Sequence, residues 1–348
     1  MSVRILVLAL LACLASPPAS AVLLATGDGT GNTQPPADDP GWYSVGNQAG
    51  ATAVYLGEGW VITANHVSNA NPVFAGVSYT MVPGSVQQLQ GPGGGLADLK
   101  IFRVNPFPPL PALALLPGPP PVNSEVVMIG RGRDRGAAAS WNGFTGWYHG
   151  STATMRWGTN RVSAANLDVL STRAFEMIFS QTGGTSFEAQ AATGDSGGAV
   201  FVKSGGVWYL AGILFAVGPY QNQPSNMALF GNATYAAQLS AYAATLDAVA
   251  DVPVCDDGLD NDGDGAVDHP ADDGCLNAYS NTENPACDDG LDNDSDGLTD
   301  LQDGVCAGQP WYPTESANAC GLGFEVALLL PLLAVLRPRR RAGVRPRG

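Results

Sequence analysis

A stretch of five residues in the second half of the chain, Gly194-Asp195-Ser196-Gly197-Gly198, has the composition of a turn built around a nucleophile. A serine hydroxyl attacks a carbonyl efficiently only when a base removes its proton and hydrogen-bond donors hold the developing oxyanion. The glycines let a substrate approach the backbone closely and permit conformations that a side chain would forbid. The plain alternative is a glycine-rich surface turn that happens to contain a serine. If Ser196 is a nucleophile, a histidine and a carboxylate must stand elsewhere in the chain.

Two residues earlier in the chain meet that requirement. His66 directly follows the apolar stretch Val61–Ala64 and one asparagine, which would hold a base at the end of a strand. Asp98 stands just before the apolar stretch Leu99–Phe102, where an acid is buried enough to orient an imidazole. The alternatives are a structural histidine beside a core and a turn residue at the entry of a strand. The three residues together favour nucleophilic catalysis.

Many short predicted strands surround these residues, and Gly-rich or Pro-rich turns separate them. They are Ala51–Leu56, Trp60–Thr63, Val73–Met81, Leu99–Val104, Val126–Gly130, Thr154–Val162, Phe175–Ser180, Ala199–Val202 and Trp208–Val217. This pattern is typical of an all-β barrel or sandwich. Apolar side chains at steps of four, three and four residues predict one helix over Thr234–Val249.

The order and setting of these residues resemble the trypsin/chymotrypsin-like serine proteases. His66 stands in Thr-Ala-Asn-His, Asp98 in Ala-Asp-Leu and Ser196 in Gly-Asp-Ser-Gly-Gly, and the resemblance covers about residues 42–250. It implies two antiparallel six-stranded β-barrels with a C-terminal helix and the active site between the barrels. It also implies that Ser196 is the nucleophile, His66 the general base and acid, and Asp98 the group that orients His66. The backbone N–H groups of Gly194 and Ser196 would form the oxyanion hole, and the substrate would be a peptide or protein.

The chain departs from this family at Asp195. The resemblance implies a carboxylate that pairs with an N-terminal amine freed by proteolysis. No Ile-Val-Gly-Gly-type sequence follows a basic residue near the start of the domain. We therefore expect internal donors to satisfy Asp195, with no activating cleavage.

A second departure concerns the substrate pocket. Gln190 stands six residues before Ser196, where the trypsin-like members carry an aspartate, so a preference for Lys or Arg is not supported. Matching the family to the last long strand places Phe215 and Val217 along the pocket wall, and a shifted match would place Gly218 there. With Val217 in place of a glycine, we expect a small or uncharged P1 residue.

An acidic module follows this domain. It holds 17 of the 31 acidic residues and no Lys or Arg, which leaves 14 acids against 16 bases elsewhere. Two copies of Cys-Asp-Asp-Gly-Leu-Asp-Asn-Asp repeat the oxygen-ligand spacing of a calcium loop, without flanking helices. The predicted ligands are Asp260, Asp262, Asp264 and Asp268 in the first copy, and Asp292, Asp294, Asp296, Asp300 and Asp303 in the second. The copies resemble the short calcium-loop repeats of secreted bacterial and thrombospondin-like proteins, and a structural calcium is favoured over magnesium or over an acidic disordered linker.

The cysteines are concentrated in this module. Four of the 6 lie there, and residues 22–254 contain none. Four cysteines allow three pairings. Because the two copies look like one repeated unit, we favour the pairs Cys255–Cys275 and Cys287–Cys306.

Both ends of the sequence carry transport signals. Residues 1–21 have a basic start, a short apolar run and the small-residue site Ala19-Ser20-Ala21, which predicts a secretory signal peptide. A lipoprotein signal with cleavage before Cys13 is the alternative. Residues 320–348 combine Cys-Gly, a short apolar run and an arginine cluster, and resemble the myxobacterial type of C-terminal sorting tail. This resemblance implies an envelope sorting protease as a partner, transient membrane contact through the tail and display at the cell surface of a Gram-negative bacterium; a short permanent anchor is the other reading.

These segments divide the chain into a signal peptide (1–21), an extended lead-in (22–41), a protease-like domain (42–250), acidic repeats (251–306), a linker (307–319) and a tail (320–348). A secreted, surface-sorted serine endopeptidase accounts for all of them. An inactive protease-like binding or adhesion domain on a calcium-stiffened stalk is the second hypothesis. An α/β-hydrolase esterase is disfavoured because that class places its serine before its histidine. Basic residues cluster only around Arg131–Arg135 and at the C-terminus, so nothing indicates nucleic-acid binding.

Overall fold

The computed structural model describes residues 22–250, 253–277, 280, 282–311 and 313. The predicted signal peptide and C-terminal sorting tail lie outside these residues. The chain divides into two compact units. The first takes in the described part of Met1–Pro253 together with Asp257–Gly265, and the second takes in Val254–Asp256 with the described residues from Ala266 onward.

The first unit is built almost entirely of short β-strands. They are β1 (Leu23–Leu24), β2 (Val45–Gln48), β3 (Ala51–Gly57), β4 (Trp60–Thr63), β5 (Val73–Phe74), β6 (Val77–Ser78), β7 (Thr80–Met81), β8 (Gln87–Gln90), β9 (Leu96–Asn105), β10 (Glu125–Gly130), β11 (Arg133–Trp141), β12 (Phe144–Ala153), β13 (Arg156–Val169), β14 (Thr172–Ile178), β15 (Ala189–Gln190), β16 (Ala199–Ser204), β17 (Val207–Gly218), β18 (Met227–Leu229) and β19 (Ala233–Gln238). Short 3-10 turns at Trp42–Ser44 and Leu239–Ala241 and the helix α1 (Ala243–Ala250) complete the unit.

Six strands close into a barrel in the order β10-β13-β14-β19-β17-β16, with antiparallel pairing throughout. Alternate residues of these strands fill its interior. Val126 and Met128 of β10 meet Phe175 of β14 and Val200 of β16 in one buried cluster. The other faces of β10 and β16 are buried as well, because Val127, Ile129, Ala199 and Phe201 belong to a second apolar cluster.

The second predicted barrel is not closed in the structure, and that expectation was wrong. Its strands form an open sheet in the order β6-β5-β2-β3-β4-β9-β7, with β8 paired to β9. The stretch Val73–Met81, which was predicted as one strand, forms three short strands in this sheet. Ala75 and Gly76 take positive φ angles of 48° and 83° and break the stretch into strands of two residues. Strands this short provide too few backbone hydrogen bonds to join the two edges.

Two further pairings add to these sheets. Strands β11, β12 and β18 form a three-stranded sheet, and the β11–β12 hairpin was not predicted from the sequence. Strand β1 pairs with β15, placing Leu23 opposite Gln190. Leu23 and Leu24 have almost no exposed surface, so the segment predicted as an extended lead-in packs into the unit.

The predicted helix over Thr234–Val249 is correct only in its last part. Ala233–Gln238 forms strand β19, which pairs with both β14 and β17, and α1 begins at Ala243. The apolar spacing that indicated a helix spans the junction of the two elements. Two-sided pairing within the barrel decides the conformation of residues whose spacing also fits a helix.

The second unit has little regular structure. It contains the four-residue helix α2 (Asp268–Ala271), a 3-10 turn at Val254–Asp256 and another at Asp300–Gln302. Two disulfides close its loops, Cys255–Cys275 and Cys287–Cys306, which is the pairing favoured from the repeat. None of the helices in the described residues is long and apolar enough to cross a membrane.

Candidate active site

Three side chains from two different sheets meet in the first unit. His66 follows β4, Asp98 lies in β9, and Ser196 lies in the loop between β15 and β16. The His66 Nδ1 atom is 2.6 Å from Asp98 Oδ2, and its Nε2 atom is 2.8 Å from Ser196 Oγ. The His66 backbone N–H also donates to Asp98 Oδ1 at 2.9 Å. The open sheet thus supplies the imidazole and the carboxylate, and the barrel supplies the hydroxyl.

Electrostatics at this cluster favour an ionised carboxylate beside a more basic imidazole. The hydrogen bond to Asp98 raises the pKa of His66, against a smaller lowering by desolvation. Burial acts to raise the pKa of Asp98, but hydrogen bonds from the side chain and backbone of His66 outweigh it and lower that pKa. An Nδ1–H that donates to Asp98 leaves Nε2 free to accept the proton of Ser196.

The turn that presents Ser196 requires glycine. Gly197 has a φ of 85°, and a Cβ atom there would stand 1.9 Å from the carbonyl oxygen of Thr52 in β3. Gly194 has a φ of 100°. Glycine alone tolerates both the positive φ and the close backbone approach. Gly194 and Gly197 are therefore conformational requirements of this turn.

Thr52 ties this turn to the open sheet. Its hydroxyl donates to the Gly194 carbonyl and accepts from the Arg131 N–H, each at 3.0 Å. Its backbone N–H donates to the Ser196 carbonyl at 2.9 Å. Thr52 is fully buried, and Thr63 donates to its carbonyl at 2.7 Å. Sequence analysis did not identify Thr52, because nothing local distinguishes it from any other threonine in a strand.

The backbone N–H groups of Gly194 and Ser196 are the predicted donors of the oxyanion hole. Among the described residues, neither group donates a hydrogen bond within the protein. Both residues line a pocket of about 200 Å³. Two backbone donors that face a pocket beside a serine hydroxyl can bind an oxyanion that forms there.

The same pocket extends away from Ser196 between two strands. Its wall is mostly small or apolar: Ala191, Ala192, Thr193, Leu214, Phe215, Ala216 and Val217. The predicted wall residues Phe215 and Val217 are both present, with Val217 about 43% exposed and Phe215 buried. Gln190 does not line the pocket, because its pairing with Leu23 holds it in the β1–β15 ladder. The lining contains no Lys, Arg, Asp or Glu.

Asp195 lies behind the turn with no exposed surface. Its Oδ1 atom accepts from Gly132 N at 2.7 Å and from Val22 N at 3.3 Å, and its Oδ2 atom accepts from Ala192 N at 2.8 Å. Burial raises its pKa to about 6 despite these donors. Internal donors were expected, and Gly132 and Ala192 supply two of them. The third comes from Val22, which the sequence analysis had assigned to the lead-in.

Comparison with known proteins assigns the family. The model of the trypsin family, described as "Trypsin", matches residues 29–239, which is more than half of the chain. The chain belongs to the trypsin family. His66, Asp98, the Ser196 turn and strands β2 to β19 lie within the matched range, and β1 and α1 lie outside it.

The solved structures to which the chain is similar are distant in sequence. The Rv3671c protease from M. tuberculosis in its active form is 15% identical, with a TM-score of 0.37, and the match covers 59% of this chain and 78% of that one. The HtrA-type protease AlgW with a decapeptide is 16% identical, with a TM-score of 0.37 and coverage of 57% and 51%. This chain therefore spans about half the length of AlgW. None of the curated proteins is significantly similar to the chain.

Outside the trypsin-family domain, two acidic groups could hold a metal ion. The carboxylates of Asp260, Asp262 and Asp264 lie within 4.8 Å of one another, and so do those of Asp292, Asp294 and Asp296. The other predicted ligands, Asp268, Asp300 and Asp303, are not members of these two groups.

Backbone hydrogen bonds shape both loops in the same way. Asp260 accepts from the N–H groups of Gly263 and Gly265, and Asp292 accepts from those of Asp296 and Gly297. The first predicted ligand of each copy therefore folds the loop back so that the following carboxylates converge.

Proposed function

We propose that the protein is a serine endopeptidase that hydrolyses peptide bonds through an acyl-enzyme. The observation that carries the proposal is the continuous chain of hydrogen bonds from Asp98 through His66 to Ser196, at 2.6 and 2.8 Å, beside two unengaged backbone N–H donors. In this proposal His66 and Ser196 touch the reacting atoms, and Asp98 acts through His66.

The geometry supports the following sequence of steps. Ser196 Oγ attacks the substrate carbonyl carbon while His66 Nε2 takes the hydroxyl proton. The carbonyl oxygen becomes an oxyanion held by the N–H groups of Gly194 and Ser196. His66 then gives its proton to the leaving amine, and the C–N bond breaks to leave an ester on Ser196. Water, deprotonated by His66, hydrolyses that ester and returns the enzyme.

The pocket beside Ser196 supports a small or medium uncharged P1 residue. Its lining has no charged side chain to pair with Lys, Arg, Asp or Glu, so a charged P1 would be buried without a partner. Val217 stands in the pocket wall together with Ala191, Ala192 and Ala216, and these mostly small apolar neighbours suit an uncharged side chain.

A fluorophosphonate probe tests the enzymatic proposal directly. We expect the exported protein to be labelled on one serine, and Ser196→Ala to abolish labelling. Ser180→Ala is a matched control, since Ser180 lies two residues after the end of β14 and donates to the Ile178 carbonyl. Absence of labelling in a folded parent protein would instead favour the binding or adhesion hypothesis.

For the acidic repeats we propose a structural role with calcium. Three carboxylates converge in each copy, and oxygen-only donor sets suit Ca²⁺. In the second copy, Asp303 is buried, and its Oδ2 atom has no hydrogen-bond partner among the described residues. Burial first, and then the neighbouring carboxylates Asp296, Asp303 and Asp292, raise the pKa of Asp294. A bound cation would compensate this concentration of negative charge.

Calorimetric titration of the whole chain with CaCl₂ tests the calcium proposal. We expect heat of binding that is reduced by Asp292→Asn and by Asp260→Asn, and unchanged by Asp168→Asn, whose carboxylate pairs with Arg173. No heat with the parent protein would exclude a calcium site. Export and surface display are proposed on the leader and the tail of the sequence.

A further inference from the structure

A second pocket lies on the open-sheet side of the Ser196 turn, where strands β2 and β5 contribute to its wall. Its volume is about 260 Å³, and none of its lining residues also lines the pocket beside Ser196. Trp42, Tyr43 and Met155 help to make its wall mostly aromatic or apolar. Arg131 is the one charged side chain among the described residues that line it, so we call this space the Arg131 pocket.

Two lining residues connect the Arg131 pocket to the oxyanion turn. Asn47 of β2 lies directly opposite Thr52 of β3 in the antiparallel pairing, so their side chains stand on the same face of the sheet. The Arg131 backbone N–H donates to the Thr52 hydroxyl at 3.0 Å. The Arg131 carbonyl oxygen is 2.9 Å from the position that a Cβ atom on Gly194 would take. Thr52 and Gly194 therefore lie between the Arg131 pocket and the nucleophile.

The two pockets receive different halves of a substrate. The pocket beside Ser196 is lined only by residues within 191–217, from the barrel side, and it would hold the acyl half. The Arg131 pocket includes Val73, and the chain reaches Val73 directly from His66, which would protonate the leaving amine. With the scissile carbonyl at the oxyanion donors, the departing half of the peptide extends toward the Arg131 pocket.

The polar groups of the Arg131 pocket favour a carboxylate. The Arg131 side chain is half-buried, and among the described residues its guanidinium makes no hydrogen bond and no ion pair. The side-chain amide of Asn47 makes no hydrogen bond either, and its Oδ1 atom is buried. No Asp or Glu lines the pocket. A carboxylate would accept charge-assisted hydrogen bonds from the guanidinium, and a peptide N–H could donate to Asn47 Oδ1.

We propose that Arg131 is a specificity-determining residue that selects an acidic side chain at the first or second position after the scissile bond. This inference rests on the proposed hydrolase function and adds a substrate class to it. The preferred substrate is a peptide with a small or medium uncharged residue before the bond and Asp or Glu shortly after it. A lysine in the Arg131 pocket would meet a like charge.

Partitioning of the acyl-enzyme between water and added peptide amines tests the leaving-group side by itself. The full chain is acylated on Ser196 with acetyl-Ala-Ala p-nitrophenyl ester, which releases p-nitrophenol. An amine nitrogen then attacks the ester carbonyl, a C–N bond forms, and Ser196 Oγ leaves with a proton that His66 has taken from the amine. The competing amines are Glu-Ala-NH₂, Gln-Ala-NH₂ and Lys-Ala-NH₂, and the series Ala-Glu-NH₂, Ala-Gln-NH₂ and Ala-Lys-NH₂. Mass spectrometry gives the product ratios.

We expect Glu to be favoured over Gln about tenfold in one of the two series, because a hydrogen bond to a charged group is worth about that much. The preference should shrink as NaCl is added, since the Arg131 charge is partly exposed to solvent. Arg131→Gln should bring the ratio close to one, and Arg131→Glu should favour Lys instead. Arg131→Lys should keep part of the preference, because it retains the charge without the planar fork.

Arg133→Gln is the matched control. Arg133 lies two residues from Arg131 but lines neither pocket, and its guanidinium donates to the Ser151 carbonyl. Its product ratios should equal those of the parent. Asn47→Asp tests the pocket without altering Arg131, because an added carboxylate beside the guanidinium should abolish the preference for Glu. A parent that does not distinguish Glu from Gln, or Arg131→Glu with the ratios of the parent, would overturn the proposal.

Failure of the hydrolase function would be seen separately. If neither the ester nor a fluorophosphonate modifies Ser196 of the parent, NMR titration with acetyl-Ala-Glu-NH₂ and acetyl-Ala-Gln-NH₂ replaces the partitioning experiment. Shifts of the Asn47 side-chain amide with the Glu peptide alone, lost in Arg131→Gln, would retain the acid-selective pocket and reject the hydrolase. Equal shifts with both peptides, or none with either, would reject the pocket.

Discussion

At the scale of single residues, one carboxylate determines the position and the tautomer of the His66 imidazole. Asp98 accepts from both the backbone and the ring of His66, so it fixes the loop and the tautomer together. The Asp98 backbone N–H in turn donates to Thr172 Oγ1 at 2.8 Å. The carboxylate is thereby held by the barrel as well as by its own strand.

Replacement of this carboxylate should affect both the rate and its pH dependence. In Asp98→Asn, the side-chain amide supports the wrong tautomer, and we expect kcat to fall by about 10⁴-fold. Asp98 is the main cause of the raised pKa of His66. Because only neutral His66 accepts a proton, kcat/KM of the parent falls as pH drops through that raised pKa, and the variant's acid limb should lie at lower pH. Profiles of kcat/KM against pH measure both effects, and Asp168→Asn should leave the profile unchanged.

The width of the pocket beside Ser196 should depend on Val217. Val217→Gly removes one of the side chains that line the pocket wall. We expect the ratio of kcat/KM for substrates with Leu at P1 to those with Ala at P1 to rise about tenfold, since each added methylene that fits is worth about that much. Competition between paired peptides gives the ratio. An unchanged ratio would mean that the wall is formed elsewhere, with Gly218 as the next position to test.

At the scale of elements, the site depends on how β3 meets the Ser196 turn. Thr52 of β3 contacts Gly194, Ser196 and Arg131, and Gly197 leaves room for its carbonyl. These contacts connect the open sheet, which carries His66, to the barrel loop, which carries Ser196. The distance between base and nucleophile is therefore fixed through the backbone of one strand.

Removal of the Thr52 hydroxyl should loosen this connection. Thr52→Val has nearly the same shape but leaves the partly buried Gly194 carbonyl and Arg131 N–H without that partner. We expect the free energy of unfolding to fall by about 1–3 kcal/mol, with a lower kcat. Denaturant unfolding and steady-state kinetics measure the two quantities. Thr52→Ser retains the hydroxyl and should recover most of the loss; a fully active Thr52→Val protein would contradict this role.

Which elements could be predicted depended on how local their signals are. His66 and Ser196 could be found because Thr-Ala-Asn-His and Gly-Asp-Ser-Gly-Gly are short motifs. Their glycines and the neighbouring strand ends depend on residues close by in the sequence. Strand β19 was taken for helix because its pairing partners, β14 and β17, lie far away in the chain. The stretch Val73–Met81 was taken for one strand, but it turns at Ala75 and Gly76, whose positive φ angles could not be inferred from spacing. The contact of Val22 with Asp195 could not be predicted either, because the two residues are 173 positions apart and no local pattern links them.

At the scale of the whole molecule, the two units are stabilised by different means. Residues 22–253 contain no cysteine and rely on buried apolar clusters. The second unit has two disulfides that each close a short loop, with separations of 20 and 19 residues. A closed loop of this length stabilises a fold by about 3 kcal/mol.

Reduction and chelation should therefore separate the two units. With dithiothreitol and EDTA together, we expect limited proteolysis to remove the second unit while Ser196 remains reactive toward the fluorophosphonate. Mass spectrometry of the surviving fragment and the labelling rate give the two readouts. Iodoacetamide added before reduction is the control for nonspecific thiol effects. Loss of labelling in parallel with loss of the disulfides would show that the first unit depends on the second.

The burial of Val22 has a consequence for any shortened form of this chain. The matched family range begins at residue 29, so a fragment cut to that range would lack Val22, a donor to Asp195, and β1, the partner of β15. Leu23 and Leu24 have almost no exposed surface, so their loss would uncover the apolar side chains they pack against. An expressed form of the trypsin-family domain should therefore begin no later than Val22.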